Sequence, residues 1–183
     1  MALRPVRIYG DPVLREKARA VAVVDEAVRR LVGDLRETMH AYRGVGLAAN
    51  QVGVLQRVVV VDVPVEDGQR VELALVNPVI EERALWEVGE EGCLSIPGIY
   101  EDVRRSFRLR VKALDEFGKP LDLTAEGYLA RAIQHEIDHL DGVLFVDRLS
   151  PLRRQFLRKA LDALARGELP EDDERPGATG GSP

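Results

Sequence analysis

Residues 132–142 read AIQHEIDHLDG and place His135 and His139 four positions apart, with Glu136 beside the first. In a helix, four residues advance the chain by about 6 Å and turn it by about 40°, so both imidazoles project from one face. Glu136 then lies about 100° around from His135, close enough to act beside an ion without ligating it. H-E-x-x-H is the pattern in which two histidines hold a metal and the glutamate handles a proton. A plain helix with two ordinary histidines and a surface glutamate is the competing reading, and two imidazoles do not complete a site.

The elements around this helix follow from patterning. Asp11 and Pro12 read as N-cap and first residue of a short helix, PVLREKA. From Asp25 to about Tyr42, apolar residues fall at 28, 31, 32, 35, 39 and 42, the spacing of an amphipathic helix. RVVVVDV (57–63) is β-branched and nearly all apolar, so it reads as a buried strand. VELALVNPVIEE and ALWEV read as two further strands, and residues 100–123 carry more, with Phe117–Gly118 in a hairpin turn. Helical patterning returns from about Thr124 to Leu140, with Gly142 as its stop, and Ser150–Pro151 opens a last helix ending at Gly167. Helices, then strands, then helices predict an α+β fold. Its expected form is mostly antiparallel sheets packed around a central metal-binding helix, with a C-terminal helix. Residues 1–167 are expected to form one catalytic domain. The polar, Pro- and Gly-rich remainder, 168–183, reads as a disordered tail.

Several residues could supply the missing ligand. Extending the motif to H-E-x-x-H-x-x-G-x-x-H fits through Gly142, but the last position is Phe145, whose benzyl group cannot ligate. A downstream glutamate would have to be Glu168, beside Pro170 at the edge of the tail. His40 lies in a helix whose apolar stripe already explains it. The one cysteine, Cys93, sits in GEEGCLSIPG, a tight, irregular strand end. Alone it would pass for a buried small residue. Beside a two-histidine face it is the best remaining donor. Two His and one Cys leave a fourth position open, as catalytic sites require.

GVGLAANQVG (44–53) superficially fits a dinucleotide fingerprint, yet it follows a helix and precedes a strand, the reverse of what that fingerprint needs. The glycines permit close backbone approach to a ligand. Gln51 is then either an amide delivered to a developing oxyanion or a solvated loop residue.

Three segments occur in order: Gly44-x-Gly46-x-Ala48-Ala49-x-Gln51, Glu91-Gly92-Cys93-Leu94-Ser95 and Gln134-His135-Glu136-x-Asp138-His139. Together they resemble the signature motifs of the peptide deformylases, with closer similarity to the bacterial type I branch, over about residues 7–166. The resemblance implies a metal-dependent hydrolase that removes the N-formyl group from the formyl-methionine of newly made proteins and releases formate. It implies Cys93, His135 and His139 as ligands, Glu136 as general acid/base, and Gln51 with the Leu94 N–H as oxyanion holders. Metal-bound hydroxide would attack the formyl carbon. The backbone at Val45 and Gly46 would pair with the peptide as an added strand. Gly89, Tyr128, Arg131 and Ala132 would form the methionine pocket, the Arg131 stem lining it with its charge outside. The implied ion is Fe²⁺, with Zn²⁺, Ni²⁺ or Co²⁺ able to replace it.

Whole-chain properties bound the alternatives. The 183 residues, 45% hydrophobic and 31% charged, suit a globular protein. A net charge of −5 gives no global basic field for DNA. No apolar run is long enough for a bilayer span or a signal peptide, so a cytoplasmic location and no membrane partner are expected. The last helix carries Arg153, Arg154, Arg158, Lys159 and Arg166, which reads equally as a ribosome contact or a solvated face. Rival functions are a zinc endopeptidase, which should lack the Cys ligand; a non-catalytic binder of formylated N-termini; and a redox sensor built on Cys93.

Overall fold

The computed structural model describes residues 2–65, 68–171 and 176. In chain order the elements are a 3-10 turn (Pro12–Arg15), α1 (Glu26–Ala41), β1 (Gly46–Ala48), a 3-10 turn (Ala49–Val52), β2 (Val58–Pro64), β3 (Arg70–Cys93) and β4 (Ile96–Leu114). β5 (Pro120–Glu126), α2 (Gly127–Leu140), a 3-10 turn (Phe145–Arg148) and α3 (Pro151–Ala165) follow. The strands form one sheet in the order β1-β2-β3-β4-β5, with every neighbouring pair antiparallel. The expected α+β class and antiparallel sheet are therefore present.

β2 opens with four valines, Val58 to Val61, because both its faces are covered there. Val59, Val61 and Val63 join the cluster that holds Ile133, Ile137 and Leu140 of α2. Val58 and Val60 join the cluster of Leu31, Leu35 and Met39 of α1. Alternation along a strand produces this split. Each such aliphatic side chain, fully buried, stabilises by about 1.5–3 kcal/mol. α2 is buried continuously from Ala130 to Leu140, which makes it the central helix. A third cluster joins Ile96, Ile99 and Val103 of β4 to Phe145 and to Leu161 and Leu164 of α3.

Three boundaries differ from expectation. PVLREKA makes only one 3-10 turn, although Asp11 does accept from the Val13 N–H at 3.0 Å. Beyond it the Ala18 N–H donates to the Leu140 carbonyl and the Arg19 N–H to the Leu55 carbonyl, which holds the chain extended. VELALVNPVIEE and ALWEV are one strand of 24 residues, paired with β2 from Arg70 to Val76 and with β4 from Val76 to Cys93. Its Pro78 is tolerated because it falls in the register shift between Val76 and Val79. α2 begins at Gly127, not Thr124. Residues 124–126 stay in β5, paired with 108–110, and the corner is turned at Gly127, where φ is +56°.

Ser150 caps α3 by accepting from the Arg153 N–H at 3.2 Å. Of the expected tail, residues 168–171 and 176 are described, and the rest of 168–183 lies outside the described residues.

Candidate metal centre

The hairpin joining β3 to β4 turns at Leu94 and Ser95, with Cys93 paired to Ile96 at its end. This turn brings the Cys93 thiol against the histidine face of α2. Cys93 Sγ lies 3.2 Å from His139 Nε2, and His139 Nε2 lies 3.2 Å from His135 Nε2. The three donor atoms fall within 4.8 Å of one another. Phe145, the residue excluded as a ligand, instead packs in the third core cluster and stacks on His135 with ring centroids 6.1 Å apart. Glu168 is exposed and bonds to Arg166. His40 lies with Asp62, not with this centre.

The donors fit a divalent cation. One thiol and two imidazoles suit Fe²⁺ and Zn²⁺. Besides the two imidazoles, the sulfur receives the Ser95 N–H at 3.4 Å and the Gln51 amide at 3.6 Å, and no lysine or arginine donates to it among the described residues. The other His135 nitrogen, Nδ1, lies 3.0 Å from Glu91 Oε2, so Nε2 is left for the centre. Burial pushes the His135 basicity down, but the hydrogen bonds to Cys93 and Glu91 raise it well above the ordinary histidine value. The trio therefore attracts positive charge. His139 goes the other way, well below its ordinary value, through burial and the nearby His135 charge. Its backbone is held at the end of α2, where the Asn50 amide donates to the His139 carbonyl.

Glu136 is 4% exposed, and its Oε2 has no hydrogen-bond partner among the described residues. Burial raises its pKa to about 7. Gly46 makes room for it: a Cβ there would collide with Glu136 Oε1. Gln51 is fixed by its own backbone neighbourhood. Its Oε1 accepts from the Ala48 N–H at 2.8 Å, which turns its amide toward Ser95 Oγ at 3.1 Å and toward Cys93.

A cavity of 440 Å³ opens over the centre, lined by Gln51, Cys93, Leu94, His135 and Glu136 and, farther out, by Tyr128, Arg131 and Ala132. Val45 and Gly46 line it too. Val45 gives its carbonyl to the Asp62 N–H at 2.9 Å, so alternation points the Gly46 backbone groups away from β2, toward the open edge of the sheet.

Two pocket expectations need correction. Gly89 is not on the cavity wall. It lies beneath the Arg131 guanidinium, where a Cβ would stand 3.1 Å from Nη2. Arg131 does not send its charge outside. It is 5% exposed and donates to Glu91 Oε1 (2.9 Å), Val103 O (2.8 Å), Gly89 O (3.1 Å) and Glu87 Oε1 (3.1 Å). The buried Glu91 carboxylate draws it inward.

That carboxylate is the chief site residue that sequence reasoning misses. Arg105 donates to it twice, at 2.8 and 2.9 Å, and also to Asp138 at 2.5 Å; Arg148 pairs with Asp138 from the far side. Burial alone would raise the Glu91 pKa, but Arg105 and His135 hold it far below the carboxylate range. Both acids lie inside the quoted motifs. Glu91 stands two residues before Cys93 on β3, across the register shift at the end of the pairing with β4.

The polypeptide deformylase model matches residues 3–155. A peptide deformylase of Alkalilimnicola ehrlichii is 54% identical over 166 residues, covering 91% of this chain and 93% of its own. The crystal structure of peptide deformylase from Thermus thermophilus superposes with a TM-score of 0.82 at 47% identity, covering 91% of this chain and 99% of its own. A Met-Ala-Ser-bound class I type b peptide deformylase from Acinetobacter baumannii gives 0.76 at 34% identity, covering 81% and 99%. The chain belongs to the polypeptide deformylase family.

Proposed function

We propose that this chain removes the N-formyl group from the formyl-methionine of newly made proteins, leaving a free amine and formate. The observation that carries the reading is a buried carboxyl with an oxygen unpartnered among the described residues, Glu136, beside a Cys93–His135–His139 donor set, with Glu136, Cys93 and His135 lining one cavity.

Cys93, His135 and His139 would hold one divalent ion, with Fe²⁺ the ion proposed and Zn²⁺, Ni²⁺ or Co²⁺ able to replace it. Such an ion supplies Lewis acidity and an activated water near neutral pH. Glu136 takes the proton of the attacking water at its free oxygen. Its pKa of about 7 suits both accepting that proton and giving it to the departing amine nitrogen. As the C–N bond breaks, the formyl carbon leaves as formate. The Gln51 amide and the Leu94 N–H would meet the charge on the carbonyl oxygen. Peptide backbone would add to the open edge of β1 at Gly46, while Tyr128, Ala132 and the Arg131 stem flank the methionine side chain. A zinc endopeptidase built on this motif should lack the Cys93 ligand, and a mere binder has no use for Glu136.

The test is formate release from a formyl-Met tripeptide by anaerobically purified, Fe²⁺-loaded protein, beside Glu136→Ala with its metal content verified. Release by the parent and its loss in the loaded variant are expected. A fully loaded parent that releases nothing refutes the reading.

Among the described residues, no helix is long and apolar enough to cross a membrane. A cytoplasmic site of action is part of the proposal, since that is where formylated chains emerge. Contact of α3 with the ribosome is supported by the exposure of Arg154, Arg158 and Lys159. Arg153 is already committed to Glu101 at 2.8 and 3.0 Å. Co-sedimentation that weakens with salt would support contact, and its absence would remove it.

A further inference from the structure

The chain just past α3 reaches the mouth of the same cavity. Gly167 (φ +82°) ends the helix, its N–H donating to the Leu164 carbonyl, and the Glu168 N–H donates to the Ala163 carbonyl at 3.0 Å. Glu168 is tied to Arg166 at 2.7 Å. Leu161 and Leu164 bury the helix itself against β4. This tethering delivers Pro170 onto Gly98. The proline Cγ stands 2.9 Å from where a Gly98 Cβ would be, and only a glycine accepts both that approach and φ +74°. Pro170 is half-buried and lines the cavity together with Pro97, Gly98 and Tyr100 of β4. Tyr100, 63% exposed, leaves apolar ring surface uncovered beside it.

We propose that Pro170 completes an apolar subsite with Pro97, Gly98 and Tyr100 that takes an apolar side chain at the second or third residue of the peptide. The inference rests on the deformylase reading for its occupant, because the subsite is continuous with the cavity over the metal centre. Residue 170 lies beyond the stretch matched by the family model, which ends at 155. Apolar surface covered there strengthens binding in proportion to its area. The chain after Gly167 is thus a selectivity element for the residues that come after methionine in the peptide.

The experiment compares the metal-loaded full chain with a chain ending at Gly167 and with Pro170→Gly. Formyl-Met-Ser-Ser, formyl-Met-Leu-Ser and formyl-Met-Ser-Leu are the substrates. The leucine-to-serine ratio of kcat/KM is read within each protein, so differences in active fraction cancel. In the full chain one leucine peptide should exceed the serine peptide, and that preference should fall about three- to tenfold in both variants. Equal ratios in all three proteins overturn the subsite. Calorimetric binding of the product peptides Met-Leu-Ser, Met-Ser-Leu and Met-Ser-Ser gives the same comparison without turnover. Absent formate release would therefore sink the deformylase reading, while an unchanged binding ratio would sink this one.

Discussion

Among the described residues, two clusters bring three metal-capable side chains within 4.8 Å: Cys93, His135 and His139 on one side, and His40, Asp62 and Glu72 on another. Proximity alone does not separate them. Their neighbours do. Asp62 already receives Arg70 at 2.8 Å and His40 at 2.9 Å, and Arg36 stands against Glu72. His40 and Arg70 are about half exposed. The second cluster is thus a solvated knot of neutralised charges. At the first, no lysine or arginine donates to the sulfur among the described residues, both Nε2 atoms point inward, and the arginines are drawn to Glu91 and Asp138 instead. Converging thiol and imidazole donors with no arginine among them make a place for a divalent cation.

The largest expected effect tests that contrast directly. Cys93→Ala should lose its ion, from one per chain to near none by elemental analysis, and formate release should fall below about one part in 10⁴. His40→Ala should keep both. A second ion that disappears with His40→Ala would erase the distinction.

Next in size are changes at the proton carrier. Glu136→Gln should retain metal and lower kcat by about 10²- to 10⁴-fold. Gly46→Ala should imitate it in part, because the new methyl would occupy the space of Glu136 Oε1. Full activity in Gly46→Ala would mean that Glu136 does not act from the position described.

Glu91→Gln should act through structure and metal together. It leaves two buried guanidiniums, Arg105 and Arg131, without their shared charge. Removing one partner of such a network costs about 3–5 kcal/mol, and a lost His135 contact lowers metal affinity about 10- to 100-fold. Denaturant unfolding of the apo protein and competition with a chelator would read the two effects separately. Unchanged metal affinity would reduce Glu91 to a purely structural residue.

What is legible in the chain divides along range. The His135–His139 pair is visible because one helix fixes it locally, and β2 because its valine run needs cover on both faces. Cys93 is reachable by elimination, since few donors exist. Glu91 escapes because its meaning depends on His135, Arg105 and Arg131, which come from other strands and from α2. Arg131 reads as outward-facing because a lone arginine on a helix normally snorkels. Only the buried carboxylate across from it reverses that. Gly89 then follows from the arginine and not from the substrate. The start of α2 is hidden for a related reason, as Thr124 to Glu126 have helix-compatible residues but a strand partner in β4.

The smallest effect belongs to the second cluster and sharpens the comparison from the other side. Burial tends to raise the Asp62 pKa, but the hydrogen bonds and charges of Arg70 and His40 outweigh it and hold the value below the ordinary aspartate range. A carboxylate depressed in the folded state contributes stability that is complete above the unfolded value of about 3.9 and is lost as pH falls through the folded one. With half-exposed partners the contribution should stay near or below about 1 kcal/mol. The gap in unfolding free energy between the parent and Asp62→Asn should therefore be steady near neutrality and close as pH falls from about 5 to about 3. A gap independent of pH would mean that Arg70 and His40 do not neutralise the carboxylate. If Zn²⁺ at neutral pH stabilised a Cys93→Ala protein, and Asp62→Asn abolished that gain, the second cluster would itself hold an ion. Pairing to arginine would then be no guide to which cluster is the centre.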